Sequence, residues 1–268
     1  TIETTSTVTV EEASSLNHIY VLDMDMKIVG RLENLAPDER IYSTRFIGDR
    51  VYLVTFRQID PLFVIDLSDP ANPKTLGQLK IPGVSDYLHP YDDNHIIGVG
   101  RDATDEGRVQ GLKLALFDVS DVANPKEVAK HIIGERGTSS DALYDHKAFL
   151  FSKEKNLLVI PVNLAEKDYQ QTWQGAFVFE LTLENGFVEK GRLTHEEKQQ
   201  DPYYYAPGIR RSLYLADILY TISDAKIKAN DLDDMKEIKE IDLPYTEPYG
   251  YYWITKESIV GETVAEPV

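Results

Sequence analysis

"FVIDLSDPANPK" runs from Phe63 to Lys74, and "LFDVSDVANPK" runs from Leu116 to Lys126. In both, an apolar, β-prone run is closed by an aspartate, Asp66 or Asp118, and followed by a cluster of Asp, Asn and Pro. Proline fixes φ, and Asx side chains accept bonds from nearby backbone N–H groups, so the cluster is a turn and the run before it a strand. "TLGQLKI" (Thr75 to Ile81) follows as the next strand. Upstream, "IYSTRFIGDRVYLVTF" (Ile41 to Phe56) reads as two strands joined by a Gly48-Asp49 turn. One unit is therefore four antiparallel strands, and the quoted turn joins its third strand to its fourth.

The unit recurs along the chain. A second copy holds "DYLHPYDDNHIIGVG" from Asp86 and "LKLALFDVSDVANPKEVAKHII" from Leu112. A third holds "HKAFLFSKEKNLLVIPV" from His146 and "GAFVFELTLENGFVEKGRL" from Gly175. A fourth holds "SLYLADILYTISD" from Ser212 and "KIKANDLDDMKEIKEIDL" from Lys226. Before the first copy, "HIYVLDMDMKIVGRLENL" supplies a third and a fourth strand at about 18–23 and 27–33. The acid closing each third strand is Asp23, Asp66, Asp118, Glu180 or Asp231, at spacings of 43, 52, 62 and 51 residues. A constant core with variable spacing is what loop insertions in a repeat produce. Four-strand units at this period predict an all-β chain, a β-propeller of four-stranded antiparallel blades.

The expected organisation is one domain over 1–268, with complete repeats at 40–83, 84–137, 138–200 and 201–244. A fifth blade would be shared between 1–39 and 245–268, closing the ring without leaving a sheet edge. "TTSTVTVEE" (Thr4 to Glu12) resists this scheme, because it alternates like a strand that the tail would duplicate. The alternative is a fragment of a larger propeller.

Composition narrows the partners. The formal net charge is −17 and there is no cysteine. An acidic surface repels phosphate backbones, which argues against nucleic acid. Disulfides and thiolate chemistry are excluded. No apolar run is long enough for a membrane helix, and no signal peptide is visible in a chain that starts at Thr1. The expected partner is a protein, a glycan or a small ligand, and the expected state is a monomer.

The stretches "NHIYVLD", "RIYSTRFIGDRVYLVTFRQIDPLFVIDLSDPANPK", "YLHPYDDNHIIGVGRD", "ALYDHKAFLFSKEKNLLVIPV" and "RRSLYLADILYTISDAKIKANDLDD" resemble a family of bacterial and archaeal secreted proteins with a C-terminal β-propeller domain, distantly similar to WD40 propellers. The third-strand motif also resembles the LVIVD repeat of extracellular bacterial proteins. The resemblance implies a propeller and a secreted or cell-surface location. It carries over no catalytic residue, and the family's domain is longer than this chain.

The sequence holds no G-x-S-x-G, H-E-x-x-H, Walker loop or complete calcium loop. We assign no catalytic residue, metal ligand or cofactor. "HEEKQQ" at His195 lacks a second histidine and reads as a polar loop. The "DMD" and "DLDD" carboxylates coincide with the repeat's turn and read as turn-capping acids. First strands line a propeller's channel, so the binding candidates are Arg45, His89, Tyr91, Asp145, His146, Arg210 and Arg211. The arginines there suit either an anion or ion pairs between blades. A histidine beside a carboxylate could serve as a base, which makes a hydrolase or lyase the rival function, with His89, Asp145, His146 and Arg210 in one constellation. Asp145 and His146, adjacent in a strand, would point to opposite faces. A second cluster is aromatic: Tyr203, Tyr204, Tyr205, Tyr249, Tyr251, Tyr252 and Trp253 offer contact area for a protein or glycan. The insertion "KDYQQTWQ" (Lys167 to Gln174) and the loop Ala103 to Gln110 read as polar, mobile candidates for top-face contacts.

Overall fold

A computed structural model describes residues 15–56, 60–104, 106–167, 169–196 and 208–244. Among these the chain is all-β. The strands β1 (Asn17–Leu22) and β2 (Ile28–Leu35) form an antiparallel pair. Four four-stranded antiparallel sheets follow. The first holds β3 (Arg40–Ile47), β4 (Arg50–Phe56), β5 (Asp60–Asp66) and β6 (Lys74–Ile81). The second holds β7 (Val84–Asp92), β8 (His95–Ala103), β9 (Val109–Asp118) and β10 (Lys126–Ile133). The third holds β11 (Leu150–Ser152), β12 (Leu157–Lys167), β13 (Gln170–Thr182) and β14 (Gly186–Leu193). The fourth holds β15 (Arg211–Leu215), β16 (Ile218–Ile222), β17 (Lys226–Asp231) and β18 (Glu237–Asp242). Within every sheet each strand pairs with its neighbours in sequence, the meander of a propeller blade. The "TTSTVTVEE" stretch and the segment 245–268 lie outside the described residues.

The two-residue period of the strands sorts their side chains to two seams. In β4, Val51 and Leu53 pack toward the β1–β2 pair, while Tyr52 and Val54 pack toward the second sheet. In β9, Ala115 and Phe117 meet the first sheet, while Leu112, Leu114 and Leu116 meet the third. In β13, Phe177 and Phe179 face the second sheet and Ala176 and Val178 the fourth. Central strands covered on both faces therefore read as almost unbroken apolar runs. No sheet owns a core, since each core is the seam between two.

The quoted turn has a specific structure. Asp66 Oδ1 accepts the Ser68 N–H at 2.9 Å and Asp69 Oδ1 accepts the Ala71 N–H at 3.1 Å, while the Asn72 side chain donates to Asp69. Asp118, Asp121 and Asn124 repeat the pattern on Ser120 and Ala123. Asp23 and Asp231 accept from Asp25 and Asp233 in the same way. These bonds, led by those from Ser68, Asn72, Ser120 and Asn124, hold the carboxyls of Asp66, Asp69, Asp118 and Asp121 below their usual range.

What the turn rests on is a bulge. In all five third-to-fourth strand pairs, a bulge near the turn leaves a residue of the fourth strand unmatched: Val29, Leu76, Val128, Lys190 and Ile238. The next residue is Gly30, Gly77, Ala129, Gly191 or Lys239. A methyl on Gly30 would stand 2.0 Å from the Pro70 carbonyl oxygen, and one on Gly77 would stand 2.2 Å from that of Val122. Ala129 meets Gly186, and Gly191 meets Met235. Each small residue thus receives the third-to-fourth turn of the following sheet. Lys239, on the last described sheet, departs from the pattern and is exposed.

Replacing Gly77 by Ala should lower stability by about 1–3 kcal/mol, because the clash is with backbone of another sheet and not with a flexible side chain. Lys239→Ala should change it by no more than about 0.5 kcal/mol. Urea denaturation of both variants checks this, and equal effects would refute the docking role.

Candidate functional site

The first strands β3 and β7 run side by side, at the position that lines the inner wall of a propeller. The Ser43 hydroxyl of β3 donates to the Ser85 carbonyl of β7 at 2.6 Å. Arg45 Nε donates to the Leu88 carbonyl at 2.8 Å. These side chains cap carbonyls on the free edge of β7, where a further strand would otherwise pair.

Around Arg45 a polar and aromatic cluster is assembled from three sheets. "YLHPY" alternates along β7, so Tyr87, His89 and Tyr91 share a face toward the third sheet. An Arg45 Nη2 N–H donates to the Tyr87 phenol oxygen at 3.1 Å, and that oxygen lies 2.9 Å from His89 Nδ1. The guanidinium also sits over the Tyr87 ring, 5.6 Å from its centroid. The His89 ring lies against Phe149 and Phe151, with centroids at 4.8 and 5.6 Å. Burial, with a smaller push from the Arg45 charge, lowers the His89 imidazole to about 4, so it is neutral at neutral pH. Burial raises the Tyr87 phenol, with Arg45 opposing. Tyr91 is in the seam, buried, its ring 5.4 Å from Phe151 and 4.9 Å from the Lys153 ammonium.

The start of the third sheet corrects the sequence reading. Asp145 and His146 are not on a strand. Ser140 and Asp145 cap two single-turn 3-10 helices, Asp141–Leu143 and His146–Ala148, by accepting from the Ala142 and Lys147 N–H groups. His146 is exposed. Asp145 receives the Arg211 guanidinium from β15, and its carboxyl is held low chiefly by the Lys147 N–H, with Arg211 adding to the effect. Arg210 pairs with Asp224 at 3.0 Å. No hydrogen bond or ion pair among the described residues joins His89 to Asp145, His146 or Arg210. Asp145 and Arg210 are each engaged elsewhere, by Arg211 and by Asp224.

Two further readings change. "KDYQQTWQ" is no loop, because β12 and β13 extend into a long hairpin with Trp173 packed on Phe177 at 5.4 Å. His195 is buried, with 3% of its surface exposed. Its Nδ1 lies 2.9 Å from Ser223 Oγ and its Nε2 2.9 Å from Thr221 Oγ1, which latches the end of the third sheet to the fourth. Tyr203, Tyr204, Tyr205, Tyr249, Tyr251, Tyr252 and Trp253 fall outside the described residues. Among the described residues no group of three His, Asp or Glu is placed to hold a metal ion. A cleft of about 210 Å³ between the third and fourth sheets is lined by Lys155, Glu180, Lys190, Asp217 and Asp233. Its lysines are engaged, Lys155 by Asp217 and Lys190 by the Leu232 carbonyl.

Sequence reasoning missed Tyr87, Phe149 and Phe151. The alternation of "YLHPY" could have given Tyr87, but nothing local gives its contact with Arg45.

Burial, with help from Lys228 and Lys226, lowers the His195 imidazole to about 4. The unfolded chain takes up a proton near pH 6.5, whereas the folded latch refuses it until about pH 4. Stability from this group is full above pH 6.5 and lost as pH falls toward 4. The urea midpoint should therefore drop between pH 7 and pH 5, and His195→Gln should reduce that slope while lowering the midpoint at pH 7. An unchanged slope would refute the latch.

The family model described as beta propeller domain matches residues 1–235. An uncharacterized protein of Methanocaldococcus jannaschii is 37% identical over 235 residues, covering 88% of this chain and 33% of the relative. An uncharacterized protein of Archaeoglobus fulgidus is 35% identical over 237 residues, covering 85% of this chain and 32% of the relative. The chain thus spans about a third of the length of these relatives. A crystal structure of a protein from Lactobacillus plantarum matches with a TM-score of 0.51 at 11% identity, over 84% of this chain and 64% of that one. That likeness concerns the fold alone.

Proposed function

The chain belongs to the beta propeller domain family, and on that premise we propose that it is a binding module rather than an enzyme, working outside the cytoplasm and recognising its ligand on the inner wall. One observation carries the reading. Arg45, Tyr87, His89 and Phe151, contributed by three sheets, converge on one patch. Side chains from separate repeats come together only in the folded ring, and a polar cluster backed by aromatic rings is the chemistry of a small-ligand site. The secreted or cell-surface location is supported by the resemblance to secreted propeller proteins, and the acidic chain weighs against nucleic acid.

Catalysis is disfavoured by the electrostatics of the same patch. A base needs a partner that stabilises its protonated form, and the charge nearest His89 is the Arg45 cation.

The reading predicts that small aromatic compounds such as phenol bind the wall weakly and shift the NMR signals of Tyr87, His89 and Phe151. Phe151→Ala should weaken that binding by about fivefold, the contribution of one aromatic contact. Turnover of p-nitrophenyl esters or glycosides that vanishes in His89→Phe would overturn the reading.

A further inference from the structure

Three arginines stand out as candidates on or beside the first strands, Arg45, Arg210 and Arg211, and they differ in one respect. Arg210 and Arg211 each face a carboxylate, Asp224 and Asp145. Arg45 faces none among the described residues. It bonds a carbonyl through Nε and a phenol through Nη2, which leaves both N–H groups of Nη1 and one of Nη2 unused among the described residues.

The direction of the next bond follows. The Tyr87 oxygen accepts from Arg45, and we assign its own hydrogen to His89 Nδ1 at 2.9 Å, which keeps the bonds running one way along the chain. A neutral imidazole that accepts at Nδ1 carries its proton at Nε2. This tautomer is assigned from the hydrogen-bond pattern. His89 Nε2–H has no acceptor among the described residues. The Tyr87 hydrogen and the His89 lone pair are both consumed within the chain Arg45 to Tyr87 to His89. What the cluster still offers is a set of donors around one uncompensated positive charge.

Such a set is complementary to a group that only accepts and carries a single negative charge. A planar guanidinium matches a carboxylate through parallel N–H bonds. A phosphate dianion would call for a second cation, and Arg210 and Arg211 are already paired with carboxylates. Beside the donors lies the partly buried Phe151, backed by the buried Phe149, which supplies an apolar surface with positive ring edges. The chain as a whole carries a net charge of −17, and this patch runs against that overall sign.

We propose that the inner wall binds a carboxylate attached to an apolar or aromatic group, with Arg45 and His89 Nε2–H holding the carboxylate and Phe151 facing the apolar part. The proposal rests on the reading of the chain as a binding module and names the ligand class of that same wall.

The test uses the whole chain and three probes of one shape: benzoate, benzamide and benzylamine, followed by NMR titration. Benzoate should bind at least about tenfold more tightly than benzamide, the difference a charge-assisted hydrogen bond makes. Arg45→Met should weaken benzoate by about tenfold or more. Because Arg45 also ties β3 to β7, that variant alone could lose binding through altered packing. His89→Phe, which keeps a ring against Phe149 and Phe151 but removes the N–H, should weaken benzoate about threefold to tenfold with the melting temperature nearly unchanged. Equal binding of benzamide or benzylamine at the wall would overturn the carboxylate assignment and leave the binding module standing. Benzoate binding unchanged in His89→Phe, or no benzoate binding at all, would also overturn it and leave Arg45 a strut between strands. Turnover dependent on His89 would instead sink the binding-module reading itself.

Discussion

The close approach of one sheet's fourth strand to the next sheet's third-to-fourth turn is the constraint on which the rest depends. A bulge in the fourth strand gives the position, and in four of the five described pairs a glycine or alanine there gives the room. The partner surface is rigid because its aspartates hold their own turn through backbone N–H groups. A bare backbone meeting a fixed turn sets the spacing between sheets at the outer rim. With that spacing fixed, the apolar seams close at packing density, and the first strands are brought near enough for Arg45 to reach the Leu88 carbonyl. Shifting the rim by one methyl group would therefore be felt at the inner wall.

Most of the fold was legible because its rules are local. Asp66 and Asp118 end strands through bonds to residues two positions on, so their role is written in a few letters. The role of Gly77 is not, since the atom that excludes its methyl belongs to Val122 in another unit. The third sheet shows a second limit. "DALYDHKAFLF" has the apolar content of a strand, but Ser140 and Asp145 offer their side chains to the backbone and turn it into two short helices. The polar run "KDYQQTWQ" misled in the opposite direction. A hairpin that projects beyond the sheet needs no apolar alternation, and pairing of Lys167 with Gln170 continues it to its tip.

At the site, the same division holds. His89 was visible as a polar residue on a first strand, and Tyr87 shares its face by a period of two. That Arg210 and Arg211 would be neutralised while Arg45 would not depends on where Asp224 and Asp145 come to rest, which is a matter of sheet-to-sheet geometry. His195 was read as part of a polar loop for a similar reason. Its two hydroxyl partners lie 26 and 28 residues away. A histidine whose two nitrogens are both bonded is satisfied inside a protein, and no neighbouring letter announces it.

The distribution of charge ties these levels together. The chain is strongly acidic, yet the repeated aspartates do not act as a loose cloud of negative charge. Asp23, Asp66, Asp118 and Asp231 are engaged by backbone amides, and they stand at the ends of third strands, away from the inner wall. Regularity in this chain is thus concentrated where sheets must dock alike. The inner wall is where the sheets differ: a paired arginine and aspartate at one seam, and at another an arginine with a phenol and an imidazole but no carboxylate partner among the described residues. A docking rule can be repeated because it asks the same thing of every sheet. Recognition needs a local exception, and the strongest exception among the described residues is a positive charge that the protein has surrounded with donors and left without an anion.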